Sequence, residues 1–245
     1  MNRPYVICHM LTSINGKTTG SFLEAPETLG AIEAYETTNQ SFDSRACLSG
    51  RLSMAEHFTH HQPPVLDPEA PVYPREDHIA DPAAENYMVV VDTAGKLGWQ
   101  TNRIEYMSRP PHHIVALLTG RAPDGYLAYL RDRGISYILA GDDALNARLA
   151  LEKLKLLLGI EKIILSGGGV TNEHFLRAGL IDELSLVVAP VIGHDKEEID
   201  LFQAIDANRT RAATALTLRS VETLEVGCLW LRYSLKSESG ESAAS

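Results

Sequence analysis

Ile163-Ile164-Leu165-Ser166-Gly167-Gly168-Gly169-Val170-Thr171-Asn172-Glu173-His174-Phe175 is an apolar run that ends in three glycines and then takes up helical spacing. The run predicts a buried strand over Lys162–Leu165, and the spacing predicts a helix over Thr171–Ala178. Glycines at the join carry no Cβ, so a ligand can approach the backbone closely and positive φ costs little. The helix start offers unpaired N–H groups and a partial positive charge. Together they make an anion site suited to a pyrophosphate. Without a ligand the same residues read as a tight strand-to-helix turn. The pattern is not a Rossmann G-x-G-x-x-G, because no Gly stands three after Gly169, and it is not a Walker loop.

A second turn of the same kind lies upstream. Ser49-Gly50-Arg51-Leu52-Ser53-Met54 follows a predicted strand (Arg45–Ser49) and opens a predicted helix (Leu52–Phe58). Arg51 offers a planar fork suited to a phosphate, and Ser53 a hydroxyl near the helix start. Read otherwise, Arg51 is a solvated surface charge. Two such turns at the carboxyl ends of strands would form two walls of a dinucleotide cleft.

Around them strands and helices alternate. Strands are predicted over Pro4–Leu11, Tyr87–Val91, His113–Leu118, Ser136–Ala140 and Glu183–Ala189, and helices over Pro26–Gln40, Asp124–Arg133 and Asp143–Leu158. Ala215–Val221 and Gly227–Leu235 alternate like an antiparallel pair. Strand–helix–strand repetition implies parallel pairs, and the closing pair makes the sheet mixed. Residues 61–86 break the rhythm, with Pro63, Pro64, Pro68, Pro71, Pro74 and Pro82 among the chain's 12 prolines. Proline at that density forbids helix, so this reads as an insertion, either tolerated on the surface or used at an interface or a cleft mouth. We expect one domain over 1–236 and a small, polar, disordered tail over 237–245.

Composition narrows the classes. The 245 residues are 44% hydrophobic and carry a formal charge of −10, which suits a globular core and disfavours a broad nucleic-acid-binding surface. No apolar run reaches the ~18 residues of a membrane span, and no cleavage pattern follows the N-terminus. Cys8, Cys47 and Cys228 are odd in number with no C-x-x-C. They read as buried thiols in a reducing, cytoplasmic setting, and no metal site is expected. His57, His60 and His61 could share a helical face, but Pro63 and Pro64 end any helix there.

The residues quoted above resemble a known family. RPYVICHMLTSINGKTTG is similar to the first strand and S-x-D-G-[KR] turn of the dihydrofolate reductase superfamily. More closely it is similar to those of the reductase domain in the bifunctional riboflavin-biosynthesis deaminase/reductase. LSGGGVTNEHFLRAGLIDELSLVVAPVIG resembles that domain almost throughout, and YMVVVDTAGKLG matches its V-V-x-D-[ST] strand end. The resemblance covers roughly residues 3–203 and implies an α/β, dihydrofolate-reductase-like three-layer sandwich. Its sheet would be mixed and mostly parallel, with antiparallel C-terminal strands. It also implies an NADPH-dependent reductase that works as a homodimer.

Position by position, Gly167, Gly168, Gly169, Val170 and Thr171 match the turn that holds the pyrophosphate and nicotinamide side. Arg51 and Ser53 match a Gly-Arg-x-[ST] element at the 2′-phosphate, which Arg121 could supplement. Thr93 matches a hydroxyl near the adenosine, and Leu11 lies where the first strand meets the nicotinamide. The resemblance further implies a cis Gly167–Gly168 bond, though three glycines in a row can also make a nest with every bond trans. The zinc signature of a deaminase half does not occur in this sequence.

Three departures fall on the substrate side: His9 for a Lys, Asn15 for an Asp, and Ser166 for an acidic residue. All three are uncharged or only weakly basic, so the pattern that holds a ribosylamino-pyrimidine phosphate is not reproduced, while the resemblance as a whole still implies a small heterocycle or a ribosylamino-pyrimidine-like compound as substrate. A different carbonyl or imine compound stays open, as does a protein that holds NADPH without turnover. No catalytic side chain is identified.

Overall fold

The computed structural model describes residues 2–107, 109–195, 198–204 and 212–235. Residues 237–245, the expected tail, lie outside them. Ten strands and five α-helices give the expected mixed α/β fold. The chain divides into two compact units, residues 1–4 with 44–163 and residues 5–43 with 164–245.

In the first unit, β2 (Ala46–Gly50), β3 (Tyr87–Val91), β5 (His112–Leu118) and β6 (Ser136–Leu139) pair parallel in that order. β4 (Arg103–Ile104) joins β5 antiparallel. All seven residues of β5 are buried, which is why it reads as a continuous apolar run rather than an alternation. α2 (Arg51–His57), α3 (Asp124–Asp132) and α4 (Ala147–Leu158) follow β2, β5 and β6. α4 starts four residues later than its periodicity predicts. Asn146 caps it by accepting from the Leu149 amide at 3.1 Å, and the Asn146 amide closes the preceding loop on the Ala140 carbonyl at 3.0 Å. Asn at a helix start competes in this way for the backbone. Gly159 then ends the helix at φ 62.

The proline-rich segment contains no helix and no strand beyond a single bridge between His78 and Tyr137. With backbone donors removed by proline, side chains fasten it. Arg75 donates to the Gly120 and Ala122 carbonyls, while Asp77 accepts from the Leu139 amide and pairs with Lys153.

In the second unit β1 (Tyr5–Thr12) pairs parallel with β8 (Glu183–Val188). β8 pairs antiparallel with β10 (Leu229–Leu235), and β10 with β9 (Leu216–Thr223). The expected antiparallel C-terminal pair is therefore formed. α1 (Pro26–Ser41) packs Ala31, Ala34 and Tyr35 against Val187, Ala189 and Cys228. The buried carboxylate of Glu183 gathers Arg219 at 2.9 Å and Arg232 at 2.6 Å, and fastens β9 and β10 to β8. The division between the units falls inside β7 (Lys162–Leu165), and α5 (Gly169–Arg177) completes the second. All three cysteines are buried and none is in a disulfide, and burial pushes the Cys8 and Cys228 thiols up. No described helix is long and apolar enough to cross a membrane.

Two buried imidazoles at the start of β5 make stability pH-dependent. Burial pushes His112 and His113 below the usual histidine range. The Pro110 carbonyl opposes this for His112, Asp81 opposes it for His113, and Arg109 and Arg103 respectively reinforce it. Between those lowered values and the ordinary ~6.5 the unfolded chain binds more protons than the folded one, so stability falls as pH falls. The urea midpoint is expected to be level above about pH 7 and to decline from about pH 6.5 downward. A midpoint that rises on acidification would contradict this.

Candidate functional site

In the first unit the registers align Gly50 with Val91, Val91 with Leu117, and Leu118 with Leu139. The carboxyl ends of four parallel strands therefore finish together, the usual location of a ligand in an open α/β sheet. Arg51 follows β2 directly as the first residue of α2. It is half-buried, and its guanidinium has no partner among the described residues. Ser53 lies half a turn on, also half-buried.

Asp92 and Thr93 follow β3. Thr93 is half-buried, and its carbonyl accepts from the Thr119 amide at 3.0 Å and hydroxyl at 2.9 Å, tying the β3 end to the β5 end. Arg121 is exposed beyond that tie. The structure thus brings Arg51, Ser53 and Thr93 to one edge.

Asp92 is the functional-edge residue that the residue-level reading passed over. It is fully buried and accepts from the Lys96 amide with both oxygens (3.0 and 2.9 Å), from the Leu97 amide at 3.0 Å and from the Tyr126 hydroxyl at 3.0 Å. It shapes the turn that presents Thr93. An aspartate closing an apolar strand was the available signal.

In the second unit the glycine-rich turn leads into α5 earlier than expected, at Gly169 rather than Thr171. The Thr171 and Asn172 amides both close on the Gly168 carbonyl, at 2.9 and 3.1 Å. The amides of Gly169 and Val170 open the helix and have no intrahelical acceptor. Gly168 is half-buried, Val170 is exposed and Thr171 is half-buried. A Cβ on Gly169 would lie 2.2 Å from the Asp200 carbonyl oxygen, so glycine is required there by packing. The Gly167–Gly168 bond is trans, with no cis bond among the described residues. This corrects the cis expectation. Gly168 at φ −58, ψ 166 makes the turn without the ~2.5–4 kcal/mol of a non-proline cis bond.

His9 is wholly enclosed. Its ring stacks on Tyr35 at 4.5 Å, and its nitrogens meet the Ser185 hydroxyl at 2.9 Å, the Tyr35 carbonyl at 3.2 Å and the Thr38 hydroxyl at 3.2 Å. Leu11, two residues on, is half-buried against the α1 side. Ser166 is half-buried, and Asn15 is exposed in the loop after β1. His57 ends α2, and His60 and His61 follow it in left-handed backbone (φ 48 and 58), so the three imidazoles do not share a helical face.

A family model described as the RibD C-terminal domain matches residues 4–230. Over 130 residues the chain is 29% identical to the 2,5-diamino-6-ribosylamino-4(3H)-pyrimidinone 5′-phosphate reductase of Methanothermobacter thermautotrophicus. That alignment covers 49% of this chain and 59% of the relative, less than two thirds of its length. A protein of the same name from Aquifex aeolicus is 23% identical over 193 residues, covering 78% of this chain and 79% of that one. Among solved structures, a pyrimidine reductase-like protein from Corynebacterium diphtheriae superposes with a TM-score of 0.68 at 20% identity, over 96% of this chain and 93% of that one.

Proposed function

The chain belongs to the RibD C-terminal domain family, and from that membership we propose that it is an NADPH-dependent reductase acting on a small ribosylamino-pyrimidine-like phosphate. The observation that carries the cofactor assignment is Arg51. Its guanidinium is unpartnered among the described residues, and it stands at the carboxyl edge of four parallel strands beside Ser53 and Thr93.

Each set of residues is suited by its own chemistry to one part of a dinucleotide. Arg51 and Ser53 would hold the 2′-phosphate, and Thr93 would meet the adenosine. Gly167 to Thr171 would supply backbone N–H groups to the pyrophosphate from a turn that carries no Cβ at three positions. NADPH, when bound, supplies the hydride. The chain's own work is then binding and alignment, which suffices for direct transfer to an electrophilic carbon. On the substrate side the reading assigns the loop around Asn15, with Ser166 at the start of the glycine turn; His9, expected there as well, is wholly enclosed by Tyr35, Thr38 and Ser185 and presents no surface to a ligand. A cytoplasmic setting belongs to the same proposal, with which three buried cysteines outside any disulfide are compatible.

The test is NADPH oxidation with a panel of ribosylamino-pyrimidine phosphates, pterins and simple carbonyl compounds. Turnover with the first class is expected. Turnover confined to the carbonyl compounds would move the protein to another reductase of this fold. Saturable NADPH binding without turnover of any would make it a non-catalytic binder.

The same reading includes a homodimer. β9 pairs only with β10 among the described residues, and it presents Leu216, Leu218 and Val221 to solvent, an edge that proteins ordinarily cover. Light scattering at micromolar concentration is expected to give twice the chain mass, falling to one chain mass on Leu218→Lys. A monomeric native protein would end this part of the reading.

A further inference from the structure

The loop after β1 is held through one side chain. Asn15 Oδ1 accepts from the Ser13 hydroxyl at 2.7 Å and from the Gly193 amide at 3.0 Å, while Asn15 Nδ2 donates to the Gly193 carbonyl at 2.9 Å. Both backbone groups of Gly193 are thus read by one carboxamide. Only a side chain with an acceptor and a donor side by side can do this. A carboxylate would set an oxygen with no hydrogen against the Gly193 carbonyl.

The same loop is stitched to the following segment. Leu201 donates its amide to the Gly16 carbonyl at 3.1 Å, the Thr18 amide donates to the Ile199 carbonyl at 2.8 Å, and Lys17 pairs with Asp200 at 2.6 Å. That segment is in turn seated on the first turn of α5. The Gln203 amide donates to the Gly169 carbonyl at 3.1 Å, and Asn172, fully buried, donates to the Leu201 carbonyl at 3.0 Å. The Asp200 carbonyl oxygen fills the space that a Gly169 side chain would need.

We propose that Asn15 is a positioning residue that clasps the loop at residues 13–17 onto Gly193 and Ile199–Gln203, and so couples the order of that loop to the setting of the glycine turn. The loop and the turn cannot loosen independently, because Ile199–Gln203 is hydrogen-bonded to both. Any ligand that orders the first turn of α5 then draws the Asn15 loop into its bound form, and the coupling is reciprocal. The inference rests on the functional reading only for what those ligands are, NADPH at the turn and the pyrimidine-like substrate at the loop.

The test compares Asn15→Asp and Asn15→Ala with the native protein by hydrogen exchange in residues 13–18 and 199–203, without ligand, and by fluorescence titration with NADPH. A protonated carboxyl carries a donor and an acceptor as the carboxamide does. Asn15→Asp, ionised above the ordinary carboxyl range of ~4, is therefore expected at pH 7 to exchange roughly tenfold faster than the native protein in both segments, and to approach it only below about pH 4. NADPH affinity is expected to fall in parallel, and Asn15→Ala to show the loss at both pH values.

Exchange in Asn15→Asp that stays native at pH 7 would overturn the clasp. So would unchanged exchange and unchanged NADPH affinity in Asn15→Ala alongside a raised substrate KM, which would make Asn15 a direct substrate contact. Because exchange is read without ligand, a native protein that fails to bind NADPH would sink the functional reading and leave the clasp to be decided by exchange alone.

Discussion

Alanine at Arg51 is expected to weaken NADPH binding by about 10- to 100-fold and to change NADH binding by no more than roughly twofold. Gly50 aligns with Val91, so Arg51 begins α2 level with the end of β3, where Asp92 and Thr93 turn away. An arginine placed there without a carboxylate partner among the described residues is positioned to meet an anion rather than to satisfy one already in the fold. The two cofactors differ only by the 2′-phosphate, so the difference between their losses isolates that contact. Arg51→Lys keeps the charge and loses the planar fork, and its loss should fall between native and alanine. Titration of both cofactors by fluorescence, at low and at high salt, makes the measurement. Equal losses for NADPH and NADH would remove Arg51 from the 2′-phosphate.

Much of each unit's candidate turn was legible in the sequence because it is built from local signals. β3 and β7 fall on their expected residues, Tyr87–Val91 and Lys162–Leu165, since mostly buried strands show as near-continuous apolar runs bounded by polar or glycine residues. The turns at Gly50 and Gly167–Gly169 are likewise short-range features.

What stayed hidden depends on partners distant in the chain. The four groups around His9 come from Tyr35, Thr38, Phe42 and Ser185, and nothing in VICHML foretells that a histidine there will be enclosed. The clasp of Asn15 on Gly193 spans 178 positions. β4 was missed because two residues, Arg103 and Ile104, carry no periodicity. The helix ahead of Ala147 was overextended because Asp143–Asn146 has acceptable helical spacing, while the capping Asn146 decides the start. The trans glycine bond was misjudged because three glycines in a row open more than one low-energy route through a turn.

Asp92→Ala is expected to cost about 3–5 kcal/mol of stability, the largest loss among single changes at this edge. The carboxylate is completely buried and is held by two backbone amides and one phenol rather than by a cation. Removing it leaves the Lys96 and Leu97 amides without an acceptor in a buried site, and each unmet donor carries a desolvation cost, while the Tyr126 hydroxyl keeps the Leu97 carbonyl within reach at 3.0 Å. The phenol is already sensitive to this surrounding. Burial, and after it Asp92, holds Tyr126 well above the usual phenol range.

The turn cannot easily find another shape. Gly95 sits at φ 65 with its amide on the Asp92 carbonyl, and a Cβ there would meet the Tyr126 ring. Asp92→Asn keeps one acceptor but turns an NH₂ toward backbone donors, so about half the loss is expected. Tyr126→Phe should cost about 1 kcal/mol and should be less than additive with Asp92→Ala, because the two share one hydrogen bond. Thr93→Ala leaves these bonds intact and should change stability by less than about 0.5 kcal/mol. Urea denaturation of the four variants and the double mutant decides the matter. A loss below about 1 kcal/mol for Asp92→Ala would mean that water replaces the carboxylate and that Asp92 does not shape the turn that presents Thr93.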